Sequence, residues 1–200
     1  MKKPKLLIDM DGVIVNLIDP WLSRINQDQG TNYTKNDIKG GIMESTGIPE
    51  EVCCTYFYEK DFWLSLPPQD DVMEYLPKLD ELFDIIIVTK AHFASPYCSH
   101  EKYMWMIKHF GKPFKMVQTK YKSYVRGAII IDDMGDNLKR CHERGKTTIC
   151  YAQPWNVDVD FGYKANSWKE IYQILLDHLE NIKEQRFREM YLETYTLSGC

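Results

Sequence analysis

Hydrophobic positions along this chain fall into two rhythms. Short continuous apolar runs alternate with longer stretches that repeat every three to four residues. Leu6-Leu7-Ile8, Ile85-Ile86-Ile87-Val88 and Ala128-Ile129-Ile130-Ile131 are the runs. Continuous β-branched runs of this length predict strands buried on both faces. Each stops on polar residues: Asp9 and Asp11 after the first, Thr89 after the second, Asp132-Asp133 after the third. Lys115 to Gln118 and Thr147 to Tyr151 predict two further strands, five in all. Helical spacing appears over 70–82, where Pro77 is expected to kink or end the helix. It appears again over 99–110, with Tyr103, Met106, Ile107 and Phe110 on one side and Gly111 as the stop. Another helix is expected over 135–144, stopped by Gly145. The last starts at Ser167, an N-cap with Glu170 at the capping-box position, and its buried stripe is Ile171, Ile174, Leu175, His178, Leu179 and Ile182. Strands alternating with helices predict an α/β fold with a doubly wound parallel, Rossmann-like sheet.

One stretch breaks the alternation. About 50 residues follow the first strand, far more than a connection within one sheet needs. They carry Trp21, the Gly40-Gly41 break, a helix start at Pro49-Glu50-Glu51 and a bend over 46–49, then Tyr56, Phe57, Tyr58, Phe62 and Trp63. The reading is a small helical cap over 16–65, inserted into a core made of 1–15 and 66–200.

Composition narrows the partners. Apolar residues make up 44% and charged residues 27%, with a formal net charge of -4. No basic stripe with interleaved aromatics is present, so polymeric nucleic acid is not expected. No run is long enough to span a membrane. The six cysteines have no metal-ligand spacing and read as free thiols of a reducing, cytoplasmic setting. The five histidines also lack ligand spacing.

The strand ends carry the chemistry. In extended chain, residues i and i+2 face the same way, so Asp9 and Asp11 can share one site. Two close carboxylates repel unless a cation or proton lies between them, and magnesium suits oxygen ligands beside phosphate. In an open α/β sheet, ligands bind outside the carboxyl ends of the strands. Asp9, Asp11, Thr89, Lys122, Asp132 and Asp133 meet there. A phosphate monoester needs this set: a carboxylate to attack phosphorus, an acid for the leaving oxygen, a hydroxyl and a lysine for the phosphoryl charge, and acids for a metal.

In this order the motifs resemble the haloacid dehalogenase superfamily and, within it, the 5'(3')-deoxyribonucleotidase family. The pieces that carry the resemblance are Asp9-Met10-Asp11-Gly12-Val13, Phe62-Trp63-Leu64 leading into Leu66-Pro67, Val88-Thr89, Glu101-Lys102-Tyr103-x-Trp105, Lys122, Ile131-Asp132-Asp133 and Gln153-Pro154-Trp155-Asn156. The resemblance implies Asp9 as nucleophile and Mg2+ ligand. It implies Asp11 as general acid/base, its carbonyl also on the metal, and Thr89 as phosphate-binding hydroxyl. Lys122 becomes the charge-balancing lysine and Asp133 the third metal ligand, with Asp132 holding that ligand or a metal-bound water. Phe62 and Trp63, with Phe57, match cap positions that pack on a nucleoside. The implied substrate is a nucleoside monophosphate, deoxy over ribo.

Two departures bear on the substrate. Lys90 follows Thr89 where the family often has serine, and Lys120 stands where arginine is frequent; both place positive charge near the phosphate. The runner-up is a phosphatase of the same fold acting on a sugar phosphate or other small ester. A phosphoacceptor receiver is disfavoured because the Asp132-Asp133 pair comes last in the chain. Lys102 competes with Lys122 for the lysine role, but its place on a helix beside Glu101 favours a solvated pair. Phe187, Met190 and Tyr191 near the C-terminus predict packing on the cap or on a second copy of the chain, as a homodimer.

Overall fold

The computed structural model describes residues 3–197, with the backbone only for Lys183 and for 185–197. Six parallel strands form one sheet: β1 (Lys5–Ile8), β2 (Asp84–Thr89), β3 (Lys115–Gln118), β4 (Ile129–Asp132), β5 (Thr147–Tyr151) and β6 (Tyr163–Ala165). Their order is β3-β2-β1-β4-β5-β6. β1 is central, with Ile8 level with Ile87 on one side and Ile131 on the other. Asp9, Thr89 and Asp132 therefore emerge side by side at one sheet edge. β6 has no apolar run; Tyr163 and Lys164 are exposed and only Ala165 is buried. Its place at the end of the sheet allows that, and hides it from a hydrophobicity reading.

Between β1 and β2 lie α1 (Ile18–Gln29), α2 (Ile42–Thr46), α3 (Glu50–Cys53), α4 (Phe62–Ser65) and α5 (Val72–Leu82), with single 3-10 turns at Lys35–Asp37 and Thr55–Tyr58. Gly47 makes the bend after α2 with a φ of 70°, a conformation that favours glycine. The chain enters and leaves this segment through adjacent backbones. The Asn16 amide donates to the Pro67 carbonyl and the Gln69 amide to the Ile14 carbonyl, both at 2.9 Å. Pro77 sits inside α5 without ending it. The carbonyl four residues earlier, which loses its donor, belongs to Met73 on the solvent side of the helix, 40% exposed.

α6 (Cys98–Phe110) differs from expectation in its buried face. Cys98, Glu101, Lys102, Trp105 and Met106 are buried, while Tyr103 is exposed. The apolar pattern alone points elsewhere because two charged residues belong to the inner face. After α7 (Gly135–His142), the helix α8 (Trp168–Leu197) buries Trp168, Ile171 and Leu175 against the core. The Glu170 amide donates to Ser167 Oγ at 3.2 Å, but its carboxylate accepts from the Asn166 amide at 2.7 Å, one residue before the capping-box position. The expected contacts of Phe187, Met190 and Tyr191 rest on side chains that lie outside those described. Cys53, Cys54, Cys98, Cys141 and Cys150 are buried free thiols. Among the described residues no helix is long and apolar enough to cross a membrane.

Candidate active site

β1 ends at Ile8, and the Asp9 amide still pairs with the Ile131 carbonyl at 2.9 Å. The chain then turns back on itself, with Ile14 and Val15 amides both donating to the Met10 carbonyl. Gly12 makes this turn possible in two ways. Its φ is +78°, and a Cβ there would fall 2.3 Å from Asp133 Oδ2. Only glycine lets the acid after β4 lie against the turn after β1.

Lys122 joins the two strand ends. It is buried in the 3-10 turn Lys122–Tyr124, with Nζ 2.7 Å from both Asp9 Oδ2 and Asp132 Oδ2. Asp132 also accepts from the Met134 amide (2.9 Å) and Asn137 Nδ2 (3.3 Å). Asp133 Oδ2 accepts from Trp155 Nε1 at 3.0 Å. One carboxylate oxygen each from Asp9, Asp132 and Asp133 lies within 4.8 Å of the others.

The charges do not balance. Three buried carboxylates face one ammonium, Lys122. Burial pushes Asp9 up to about 7, with Asp132 and Asp11 adding to it against the pull of Lys122. Burial likewise lifts Asp133 well above the carboxylate range, helped by Asp9 and Asp132. For Lys122, burial disfavours the charged form, but Asp132 and Asp9 outweigh it and hold the ammonium above its ordinary value. A site with two uncompensated negative charges, built of oxygen donors, fits a hard divalent cation.

Asp11 faces another way. Its Oδ2 pairs with Lys102, which also donates to Thr89 Oγ1 at 3.0 Å and to the Lys90 carbonyl at 2.9 Å. Asp11 Oδ1 is buried with no partner. The solvated Glu101–Lys102 pair expected from the sequence does not exist. Lys102 is 1% exposed. Glu101 accepts from the backbone amides of Asp61 (2.7 Å), Trp63 (3.1 Å) and Leu64 (3.3 Å), satisfying the start of α4.

A cavity of about 600 Å³ opens over these groups. Its lining includes Asp9, Asp11, Lys122 and Asp133, the cations Lys90, Lys120 and Arg140, the last paired with Asp136, and the apolar Leu17, Ile18, Trp21, Ile38, Ile42 and Met43. Phe57, Phe62 and Trp63 are not part of that lining. They are buried and packed on one another, with ring centroids 4.7–5.5 Å apart, and Phe57 lies 4.5 Å behind Trp21. Trp63 Nε1 donates to the Phe57 carbonyl at 3.2 Å. Sequence reasoning missed Trp21 as lining and Trp155 as a partner of Asp133. The first is a lone aromatic on α1; the second stood in a motif without an assigned role.

The chain is similar to known proteins. A solved haloacid dehalogenase-like hydrolase from Streptococcus pneumoniae shares the fold, with a TM-score of 0.61 and 14% identity over 86% of this chain and 98% of its own. A 5'(3')-deoxyribonucleotidase of Clostridium acetobutylicum is 31% identical over 173 residues, covering 78% of this chain and 92% of its own. The human mitochondrial 5'(3')-deoxyribonucleotidase is 27% identical over 188 residues, covering 86% and 82%. The family model described as 5' nucleotidase, deoxy (pyrimidine), cytosolic type C protein matches residues 3–180, so the chain belongs to that family.

Proposed function

We propose that the protein is a magnesium-dependent phosphatase of deoxyribonucleoside monophosphates, working through an aspartyl-phosphate on Asp9. The observation that carries the reading is the meeting of Asp9, Lys122 and Asp133 in the lining of a cavity that also presents Leu17, Ile18, Trp21 and Ile38. A carboxylate oxygen of Asp9 attacks phosphorus. The ester P–O bond breaks, its electron pair stays with the leaving oxygen, and Asp11 supplies the proton. Water then attacks the same phosphorus with Asp11 as base, the Asp9–phosphorus bond breaks, and phosphate leaves. Lys122, fixed by Asp132, offsets the phosphoryl charge. Thr89 is fully buried and outside the cavity lining; its Oγ1 accepts from Lys102, so in this reading it acts by holding that lysine beside Asp11. A magnesium ion held by Asp9, Asp133 and the Asp11 carbonyl, with Asp132 beside it, would temper the phosphate charge during in-line displacement.

Residues 16–65 serve in this reading as a cap on the core made of 1–15 and 66–200. The leaving nucleoside lies against Leu17, Ile18, Trp21 and Ile38, with Phe57, Phe62 and Trp63 behind Trp21 as support. Lys90 and Lys120 attract the phosphate. An apolar wall disfavours a 2'-hydroxyl, because burying it unpaired is costly. The test is phosphate release from matched deoxy- and ribonucleoside monophosphates and from sugar phosphates, with Mg2+. Deoxyribonucleotides are expected to be fastest; a sugar phosphate preferred to every nucleotide overturns the substrate assignment.

A further inference from the structure

We propose that Trp155 is a positioning residue for Asp133: its indole N–H holds one carboxylate oxygen and leaves the other for a divalent cation shared with Asp9. The inference rests on the reading of Asp133 as a metal ligand.

Trp155 belongs to the 3-10 turn Pro154–Asn156 that follows β5. This turn closes on itself, because Asn156 Oδ1 accepts from the Gln153 amide at 2.9 Å. It then grips the site at three points. Gln153 Nε2 donates to the Gly12 carbonyl at 3.0 Å. Asn156 Nδ2 donates to the Asp133 carbonyl at 2.8 Å, and to the Tyr151 carbonyl at the same distance. Trp155 Nε1 donates to Asp133 Oδ2 at 3.0 Å. Asp133 is thus fixed at its backbone and at its side chain by neighbouring residues of one turn.

The indole bond divides the two carboxylate oxygens. Oδ2 is the oxygen that a Cβ on Gly12 would meet at 2.3 Å. Oδ2 thus lies against the Gly12 backbone and is engaged by the Trp155 indole. Without the indole N–H, Oδ2 would be a buried acceptor lacking a partner, and the carboxylate would turn to find one. Partners of this kind orient a ligand, and their removal typically weakens metal binding about 10–100-fold.

The test is a Mg2+ titration of the substrate-free protein, read as the rise in thermal unfolding midpoint. Trp155→Phe and Trp155→Tyr both keep a ring and remove the indole donor. Trp105→Phe is the control, since Trp105 Nε1 donates to the Leu66 carbonyl, at 2.7 Å, away from the carboxylates. The two variants at 155 are expected to need about 10–100-fold more Mg2+ for half the stabilisation, whereas the control needs the wild-type amount even where its starting midpoint is lower. Wild-type Mg2+ dependence in whichever 155 variant folds overturns the inference, and a raised KM with that same dependence makes Trp155 part of the substrate wall instead. Wild-type protein that Mg2+ does not stabilise removes the metal reading itself, which is a separate and distinguishable result.

Discussion

Lys102 reaches from α6 to pair with Asp11, while its ammonium stays 3.0 Å from Thr89 Oγ1. One buried cation thus holds both the acid proposed for proton transfer and the buried hydroxyl of Thr89. Its neighbour Glu101 binds the first amides of α4, so successive residues of α6 serve the acidic site and the inserted segment.

Lys102→Met keeps most of the stem and removes the charge. Breaking a buried ion pair usually costs about 3–5 kcal/mol, because the remaining charge is left without compensation. Asp11 is 24% exposed, which puts the loss toward the lower end. A placed general acid supplies about 10²–10⁴-fold, and the variant is expected to lose roughly tenfold or more of that in kcat. Thermal unfolding and steady-state kinetics check both. A lower midpoint with unchanged kcat would make Lys102 purely structural.

How much of this was legible in the sequence depends on what kind of signal each residue leaves. Asp9, Thr89 and Asp132 could be placed because a buried apolar run ends on each, and parallel strands bring such ends to one edge. Gly12 stands beside them for its positive φ and for the approach of Asp133, and the second is visible only in three dimensions. Lys102 reads as solvated because it stands on a helix beside an opposite charge, Glu101. Here the site supplies Asp11 and Thr89 as partners, and that exchange is invisible along the chain. Trp21 and Phe57 traded places in the expected cavity for a similar reason. Trp21 is on α1 and Phe57 in a single 3-10 turn, and which one faces the cavity is set by packing between segments 32 or more residues apart in sequence, as in the bond from Trp21 Nε1 to the Cys53 carbonyl.

Asp9 yields a prediction with opposite effects on activity and stability. Asp9→Asn removes the proposed nucleophile, so turnover should fall to the limit of detection in a phosphate-release assay. The metal-free fold should nevertheless gain stability at high pH. The folded-state pKa of Asp9 is raised to about 7 from 3.8, first by burial. Below about pH 4 both folded and unfolded chains hold this proton and no penalty exists. As pH rises toward 7 the unfolded chain gives up the proton while the folded one keeps it, and the folded state loses stability relative to the unfolded. Above 7 the full penalty remains, on the order of 4 kcal/mol as an upper limit. Wild-type protein in chelator should therefore show a falling unfolding midpoint between pH 5 and 8, and Asp9→Asn a shallower fall. Mg2+ should raise the wild-type midpoint more at pH 8 than at pH 5, since at pH 5 it must displace protons that the carboxylates still hold. Equal Mg2+ effects at both pH values would contradict the carboxylate site.

The two tryptophans of the insert separate substrate contact from support. Trp21 lines the cavity, and its indole N–H is already taken by the Cys53 carbonyl at 2.5 Å. Only its ring is left to offer a ligand, so it can stack on a base but cannot read the base edge. Stacking of a base on an aromatic ring contributes about 1–3 kcal/mol, and Trp21→Ala should raise KM for nucleotides by roughly 5- to 150-fold on that scale. A small ester such as p-nitrophenyl phosphate, which does not fill the wall, should keep most of its kcat/KM. Trp63 is 3% exposed, absent from the lining and packed on Phe57 and Phe62. Trp63→Ala should instead lower stability by about 3–5 kcal/mol, the usual loss for a buried Trp. Its activity should fall equally on both substrates, through the population that remains folded. A nucleotide-selective KM effect at Trp63 together with none at Trp21 would mean that the segment rearranges on binding, bringing the α4 ring to the nucleoside and withdrawing the α1 ring.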